Sequence, residues 1–260
     1  MDQNRIHGKT VLITGATSGI GEACAYAFAS LGTDLIITGR REENLEELAR
    51  QIKEHYPVEV IAGNFDVRDR KACIRFMDFL DARPVDILIN NAGLSRGLDP
   101  VDKADFDDWD EMVDTNIKGV LNMTRLIVPG MKARNKGFIL NLGSIAGHDS
   151  YPGGSVYCAT KHAVAAFTRA LKMDLSGTRV RAGMISPGLV ETEFSKVRFH
   201  GDEERARQVY KGVEPLSAVD VAEMIVFMAN RPSHVNILDM VVMPVDQSSV
   251  FLLNRSDENL

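Results

Sequence analysis

Short apolar runs alternate with stretches of helical periodicity along most of the chain. Lys9-Thr10-Val11-Leu12-Ile13-Thr14 is the first run, and Glu22 to Leu31 then places apolar residues at helical spacing. Asp34 to Thr38 reads as a second strand, Glu42 to His55 as a polar-faced helix, and Val58 to Phe65 as a third strand. Val85 to Asn90 predicts a fourth strand, followed by a helix containing Trp109 to Met131. Phe138 to Leu142, Val180 to Ile185 and Met240 to Met243 predict three more, with a helix carrying Tyr157 and Lys161 after the fifth. Strands apolar throughout their length, alternating with helices, predict an α/β protein built on a doubly wound, mostly parallel seven-stranded sheet with helices on both faces. No repeat, low-complexity tract or linker interrupts the pattern, so a single domain is expected over residues 1–260. Pro187 to Leu216 is far longer than a usual βα connection and reads as a lid or substrate loop. Residues 251–260 read as a polar tail.

Composition narrows the classes of function. The 260 residues are 45% hydrophobic and 25% charged, as in ordinary globular proteins, and the net charge of −6 argues against a dedicated nucleic-acid binder. Three cysteines without metal-ligand spacing suit a reducing compartment. The first residues lack an apolar signal core and no run is long enough to span a bilayer. A cytoplasmic protein without membrane or nucleic-acid partners is expected. The histidines show no ligand spacing, so no metal is assigned.

Two stretches carry chemistry. In the first, Ser144 precedes Tyr157-Cys158-Ala159-Thr160-Lys161. Tyrosine ionises about three units too high for neutral acid–base work. Lys161, one helical turn on, shares its face, and its ammonium is expected to stabilise the tyrosinate and lower the Tyr157 pKa. With Ser144 holding a carbonyl or alcohol oxygen, Tyr157 exchanges a proton with it. That is half of a redox reaction; the other half needs a hydride carrier.

The second stretch, Thr14-Gly15-x-x-x-Gly19-Ile20-Gly21, lies between the first strand and first helix. Glycines there let backbone approach a pyrophosphate at a helix N-terminus, although a tight strand–helix turn has the same look. An NAD site wants an acid at the end of the second strand, where this chain has Gly39-Arg40-Arg41. Arginines pair with a 2′-phosphate, or stand solvated beside Glu42 and Glu43. Cations at a helix start oppose its dipole, which favours the phosphate and hence NADP(H).

Together with Asn90-Asn91-Ala92-Gly93, Asn116 and Pro187-Gly188, these motifs make the chain resemble the short-chain dehydrogenase/reductase family over essentially its whole length. Gly39-Arg40-Arg41, Trp109, Pro187 to Ser195, Val197-Arg198-Phe199 and His234 to Ile237 resemble its NADP-dependent 3-hydroxy acid dehydrogenase branch. The resemblance implies a Rossmann-type fold, a homotetramer, and oxidation of serine, allo-threonine or 3-hydroxypropionate-like acids, or reduction of the matching semialdehydes. It implies that Tyr157 is the general acid/base, Ser144 the polariser of the substrate oxygen, and Lys161 the ligand of the nicotinamide ribose. Asn116 would hold a water linking Lys161 to solvent. It further implies cofactor contacts from Gly15, Thr17, Ser18 and Ile20, from Arg40 and Arg41, and from Asp66 and Val67 at the adenine. Asn91 and Gly93 would line the cleft, and Pro187, Val190 and Thr192 would meet the nicotinamide and phosphate end.

The substrate end is less determined. A hydroxy acid calls for a cation, and the candidates are Arg198, Lys196 and Arg96. Arg198 matches the branch. Arg96 departs from it, either adding a second anion contact, suited to a sulfonate, or pointing to solvent. Cys158 reads as a helix-packing residue, His148 and His162 as wall or surface residues. Asn116 alone is uninformative, since buried asparagines commonly satisfy backbone groups. Other readings stand beside this one: a reductase of a different small carbonyl such as a ketone or sugar, an idle NADP-binding sensor or scaffold, or a structural subunit.

Overall fold

The apolar runs alternate their side chains between two helical layers. In the computed structural model, which describes residues 4–81 and 83–256, β1 (Thr10–Thr14), β2 (Asp34–Gly39), β3 (Val60–Asn64) and β4 (Ile87–Asn90) pair with β5 (Gly137–Leu142), β6 (Val180–Pro187) and β7 (Asp239–Val242). The order is β3-β2-β1-β4-β5-β6-β7. Every pairing is parallel, so the sheet is wholly rather than mostly parallel. Ile13, Ile37, Ile89 and Leu140 pack against α1 (Gly19–Ala29), α2 (Glu42–His55) and α9 (Ala218–Ala229) through Phe28, Leu45 and Ile225. Their neighbours Leu12, Ile36, Leu88 and Ile139 pack on the opposite face. There they meet Cys73 of α3 (Arg70–Phe79), Ile127 of α5 (Val120–Ala133) and Leu171 of α6 (Ser155–Asp174). Each fully buried Leu or Ile contributes about 1.5–3 kcal/mol. Both faces being covered, neither can show polar alternation.

Helix α3 is absent from the expected pattern because Cys73 is its single buried residue. Asp69 starts it, its carboxylate accepting from the Lys71 and Ala72 amides. The helix expected around Trp109 begins at Phe106 as α4 (Phe106–Val113), passes through a π-helical turn over Asp114–Gly119, and continues as α5. Such turns widen a helix by one residue and mark functional positions.

The long segment after β6 is folded. It contains α7 (Phe194–Arg198) and α8 (Glu203–Tyr210), and a parallel bridge between Val190 and Leu216 closes its neck. Met224 to Met228 belong to α9, where Ile225 and Met228 join the core and Phe227 is exposed. The chain after β7 turns back to this segment, the Ser256 amide donating to the Gly212 carbonyl at 2.9 Å. Of the expected polar tail, residues 257–260 lie outside the described residues. No helix among the described residues is long and apolar enough to cross a membrane.

Consecutive strands add outward in both directions from the β1–β4 pair, so the connections part there. A crevice therefore opens at the carboxyl ends of these strands.

Candidate active site

A cleft of about 610 Å³ fills that crevice, running from Arg40 and Asp66 at one end to Ser144, Tyr157 and Lys161 at the other. Its floor is the turn after β1. Gly15 has φ +66°, and a Cβ there would lie 2.9 Å from the Ala92 Cα, so only glycine lets this turn pass so close to β4. Thr14 ties the two strand ends together: its hydroxyl accepts from the Asn91 and Ala92 amides at 3.1 and 3.0 Å. The Asn91 amide group donates in turn to the carbonyls of Thr14 and Gly15. Ser18 precedes α1 without capping it, its hydroxyl accepting from Arg41 instead. The first-turn amides of α1 are thereby left without a side-chain cap, as an anion site at a helix N-terminus requires. This turn and its neighbouring arginines fit a dinucleotide's phosphates.

At the other end, Ser144 follows β5 and caps a single 3₁₀ turn, accepting from the Ala146 amide at 3.1 Å. Tyr157 and Lys161 lie one turn apart on the buried face of α6. The Lys161 ammonium donates to the Leu142 carbonyl at 2.8 Å and sits 5.8 Å from the Tyr157 ring centroid. The expected lowering of the Tyr157 pKa by Lys161 is not found. Burial dominates, pushing Tyr157 up to about 12, aided by Tyr151; Arg198 and a hydrogen bond with Ser144 pull the other way. Burial likewise draws Lys161 down to about 8. Desolvation penalises whichever form is charged, so the two groups shift in opposite directions, the tyrosine up and the lysine down.

Asn116 stands in the π-helical turn, and its amide is largely committed. Oδ1 accepts from the Leu94 amide at 2.8 Å, while Nδ2 donates to the Leu94 carbonyl and the Thr160 hydroxyl. Thr160 donates onward to the Tyr157 carbonyl at 2.7 Å. One Oδ1 lone pair remains. It faces the spot where a Cβ on Gly93 would sit, 3.2 Å from Oδ1 and 3.7 Å from the Lys161 ammonium.

The arginine end is denser than its sequence suggests. Arg41 donates to the hydroxyls of Thr17 and Ser18 and pairs with Glu193 at 2.8 Å, joining the glycine turn to the segment after β6. Thr192 packs beside Gly19, and Val190 sits in the neck of the segment after β6. Arg40 lies 3.8 Å from Asp66 and 3.5 Å from Glu111. Arg68, which sequence reasoning passed over, pairs with Asp66 at 2.7 Å and with Glu111 at 3.5 Å. Its signal was present, two residues beyond Asp66; Glu111 gave none. Val67 is buried against Gly119.

At the substrate end, Arg198 stacks between rings, its guanidinium carbon 5.3 Å from the centroids of both Tyr157 and Phe194. It donates to the Tyr151 hydroxyl at 3.0 Å, and its buried Nε has no partner. Phe194, on which it stacks, and Val197, its neighbour in the chain, line the cleft. Arg96 lines the cleft but does not point to solvent: Nε donates to Glu111 at 2.7 Å and a terminal nitrogen to the Val197 carbonyl at 2.6 Å. Lys196 is held by Glu203 at 2.6 Å. His148 bonds to Ser186 beside the Ser144 turn, His162 to its own helix, and Cys158 is buried packing.

The short chain dehydrogenase family model matches residues 9–203. The NADP-dependent 3-hydroxy acid dehydrogenase of Schizosaccharomyces pombe is 47% identical over 247 residues, 94% of this chain and 95% of that protein. The NADP-dependent 3-hydroxy acid dehydrogenase YdfG of Escherichia coli is 45% identical over 241 residues, 92% of this chain and 96% of that protein. Among solved structures, the closed form of serine dehydrogenase complexed with NADP+ superposes with a TM-score of 0.87 at 44% identity, over 94% of this chain and 98% of that one.

Proposed function

The chain belongs to the short-chain dehydrogenase family, and on that premise we propose that it is an NADP(H)-dependent oxidoreductase of small 3-hydroxy acids and their carbonyl counterparts. Relatives of this name at 45–47% identity support the reading. The observation that carries it is Arg198: a guanidinium with no carboxylate beside it among the described residues, stacked on the ring of Tyr157. An uncompensated cation in that partly buried place draws an anionic substrate group to the end of the cleft where proton exchange occurs.

When bound, the dinucleotide supplies the hydride chemistry. The chain's own residues do the rest. Ser144 donates a hydrogen bond to the substrate oxygen, and Tyr157 gives that oxygen a proton in reduction or takes one in oxidation. Lys161 fixes the ribose and connects through the free lone pair of Asn116 to solvent. Gly15, Thr17, Ser18 and Ile20 hold the pyrophosphate, Arg40, Arg41 and Arg68 the 2′-phosphate, and Asp66 with Val67 the adenine. Gly93, Pro187, Val190 and Thr192 border the nicotinamide half. The reading is of one domain whose lid, 187–216, covers the substrate. It extends to a cytoplasmic protein and to a homotetramer, exposed apolar side chains at Phe106, Leu121, Val241 and Val245 supporting self-association.

The test is reduced-nicotinamide absorbance with NADP+ or NAD+ and L-serine, D-serine, L-allo-threonine, 3-hydroxypropionate, a hydroxy-sulfonate and a neutral alcohol. Turnover of the carboxylic acids with NADP+, lost in Tyr157→Phe, is expected. Turnover of neutral alcohols alone would sink the acid reading, and preference for NAD+ the cofactor reading.

A further inference from the structure

Glu111 sits where its two carboxylate oxygens face different arginines. Oε2 accepts a short, charge-assisted hydrogen bond from Arg96 Nε at 2.7 Å. Oε1 lies 3.5 Å from a terminal nitrogen of Arg40 and 3.5 Å from one of Arg68. These two distances are too long for well-made charge-assisted hydrogen bonds, which close to about 2.7–2.9 Å. They are attractive contacts that a better anion displaces. The side chain of Glu111 is 19% exposed and those of Arg68 and Arg40 are 33% and 52% exposed, so the arginines remain open to solvent while the carboxylate is held from behind.

We propose that Glu111 sets the cofactor selectivity of this protein by competing, as an internal anion, with the 2′-phosphate for Arg40 and Arg68, and that Arg96 weakens the competition by drawing the same carboxylate away. The proposal rests on the NADP(H) reading above. Asp66 is the other carboxylate in ion-pair contact with both arginines, but it is fixed: Arg68 grips it through Nε at 2.9 Å and a terminal nitrogen at 2.7 Å, and its other oxygen accepts from the Arg68 amide. Asp66 thus positions Arg68, whereas Glu111 makes no bond to Arg40 or Arg68 that a phosphate oxygen could not replace with a shorter one.

This division gives opposite signs for two substitutions. Glu111→Gln removes the competing charge and leaves Arg40 and Arg68 to the phosphate. Arg96→Gln releases Glu111 from its short hydrogen bond and gives its full charge to the same two arginines. Arg96 also donates to Val197 of the lid, so nucleotide fragments that do not reach the lid separate the two effects.

The experiment is calorimetric titration of the full chain with 2′,5′-ADP and with 5′-AMP, which differ only in the 2′-phosphate, using wild type, Glu111→Gln, Arg96→Gln and the double variant. Glu111→Gln is expected to tighten 2′,5′-ADP roughly three- to tenfold, the scale of two partly exposed ion pairs, and to leave 5′-AMP unchanged. Arg96→Gln is expected to weaken 2′,5′-ADP alone, and to lose that effect in the double variant. Unchanged or weaker 2′,5′-ADP binding by folded Glu111→Gln overturns the proposal while leaving the NADP(H) reading in place. Should that variant not fold, Arg96→Gln decides, and no weakening overturns the proposal. Wild type that fails to distinguish the two nucleotides overturns the cofactor reading and this inference with it.

Discussion

The Lys161 ammonium donates to the carbonyl oxygen of Leu142 at 2.8 Å, and no carboxylate answers its charge among the described residues. At 5% exposure the charge is costly, and burial holds its pKa at about 8. The folded-state value lies below the unfolded one, so the protonated lysine destabilises the fold below about pH 8 and the cost fades by about pH 10.5. Lys161→Met removes a penalty of about 3 kcal/mol and forfeits a hydrogen bond worth about 1 kcal/mol. The variant is therefore expected to be inactive yet more stable than wild type at pH 7. Urea titrations from pH 7 to 10 should show its advantage shrinking; a variant less stable at pH 7 would mean the cation is not a net cost.

Tyr157 is the complementary case. With its pKa near 12, its neutral form prevails at physiological pH, which suits proton donation in reduction. Oxidation needs the ionised form. kcat/KM for oxidation is expected to rise about tenfold per pH unit up to at least about pH 9, while the reductive kcat/KM stays flat as far as Tyr157 governs it. Rate profiles in both directions test this. An oxidative plateau below about pH 8 would mean that cofactor or substrate lowers the tyrosine strongly on binding.

These two shifts also mark how far the sequence could be read. The seven strands followed from apolar runs, and a doubly wound sheet aligns their carboxyl ends on one edge, where the residues of the motifs line the cleft. The shifts did not follow, because proximity of Lys161 to Tyr157 in sequence says nothing about burial, and burial outweighs their mutual charge. Arg96 was unreadable for a related reason: its partner Glu111 lies on another element, and nothing local links the two. Helix α3 escaped because one buried cysteine makes no periodic stripe.

Arg198 offers a sharper test of substrate class. Replacing it by Met keeps an apolar stem against Phe194 and Tyr157 but removes the charge. KM for hydroxy acids is expected to rise about ten- to hundredfold, the worth of a charge-assisted hydrogen bond, with little change for a neutral alcohol. Arg198→Lys should recover only part of the loss, since an ammonium cannot stack between two rings as a guanidinium does. Equal losses for acidic and neutral substrates would assign Arg198 to packing alone.

Thr14 tests whether the glycine turn depends on the strand beside it. The side chain is 2% exposed, and its hydroxyl is the acceptor for two backbone amides, Asn91 and Ala92, at the end of β4. Thr14→Val preserves shape but offers no acceptor, leaving two amides unpaired at a cost of about 1–3 kcal/mol each. Thr14→Ser keeps the hydroxyl and loses one methyl, about 1 kcal/mol. The chain should therefore tolerate serine and not valine, with Tm falling far more in the latter. Because Asn91 also donates to the Thr14 and Gly15 carbonyls, the valine variant is expected to bind NADP+ more weakly as well, by about tenfold or more. A valine variant that loses stability but keeps its NADP+ affinity would show that the turn holds its shape without this link, and that Gly15 alone shapes the phosphate site.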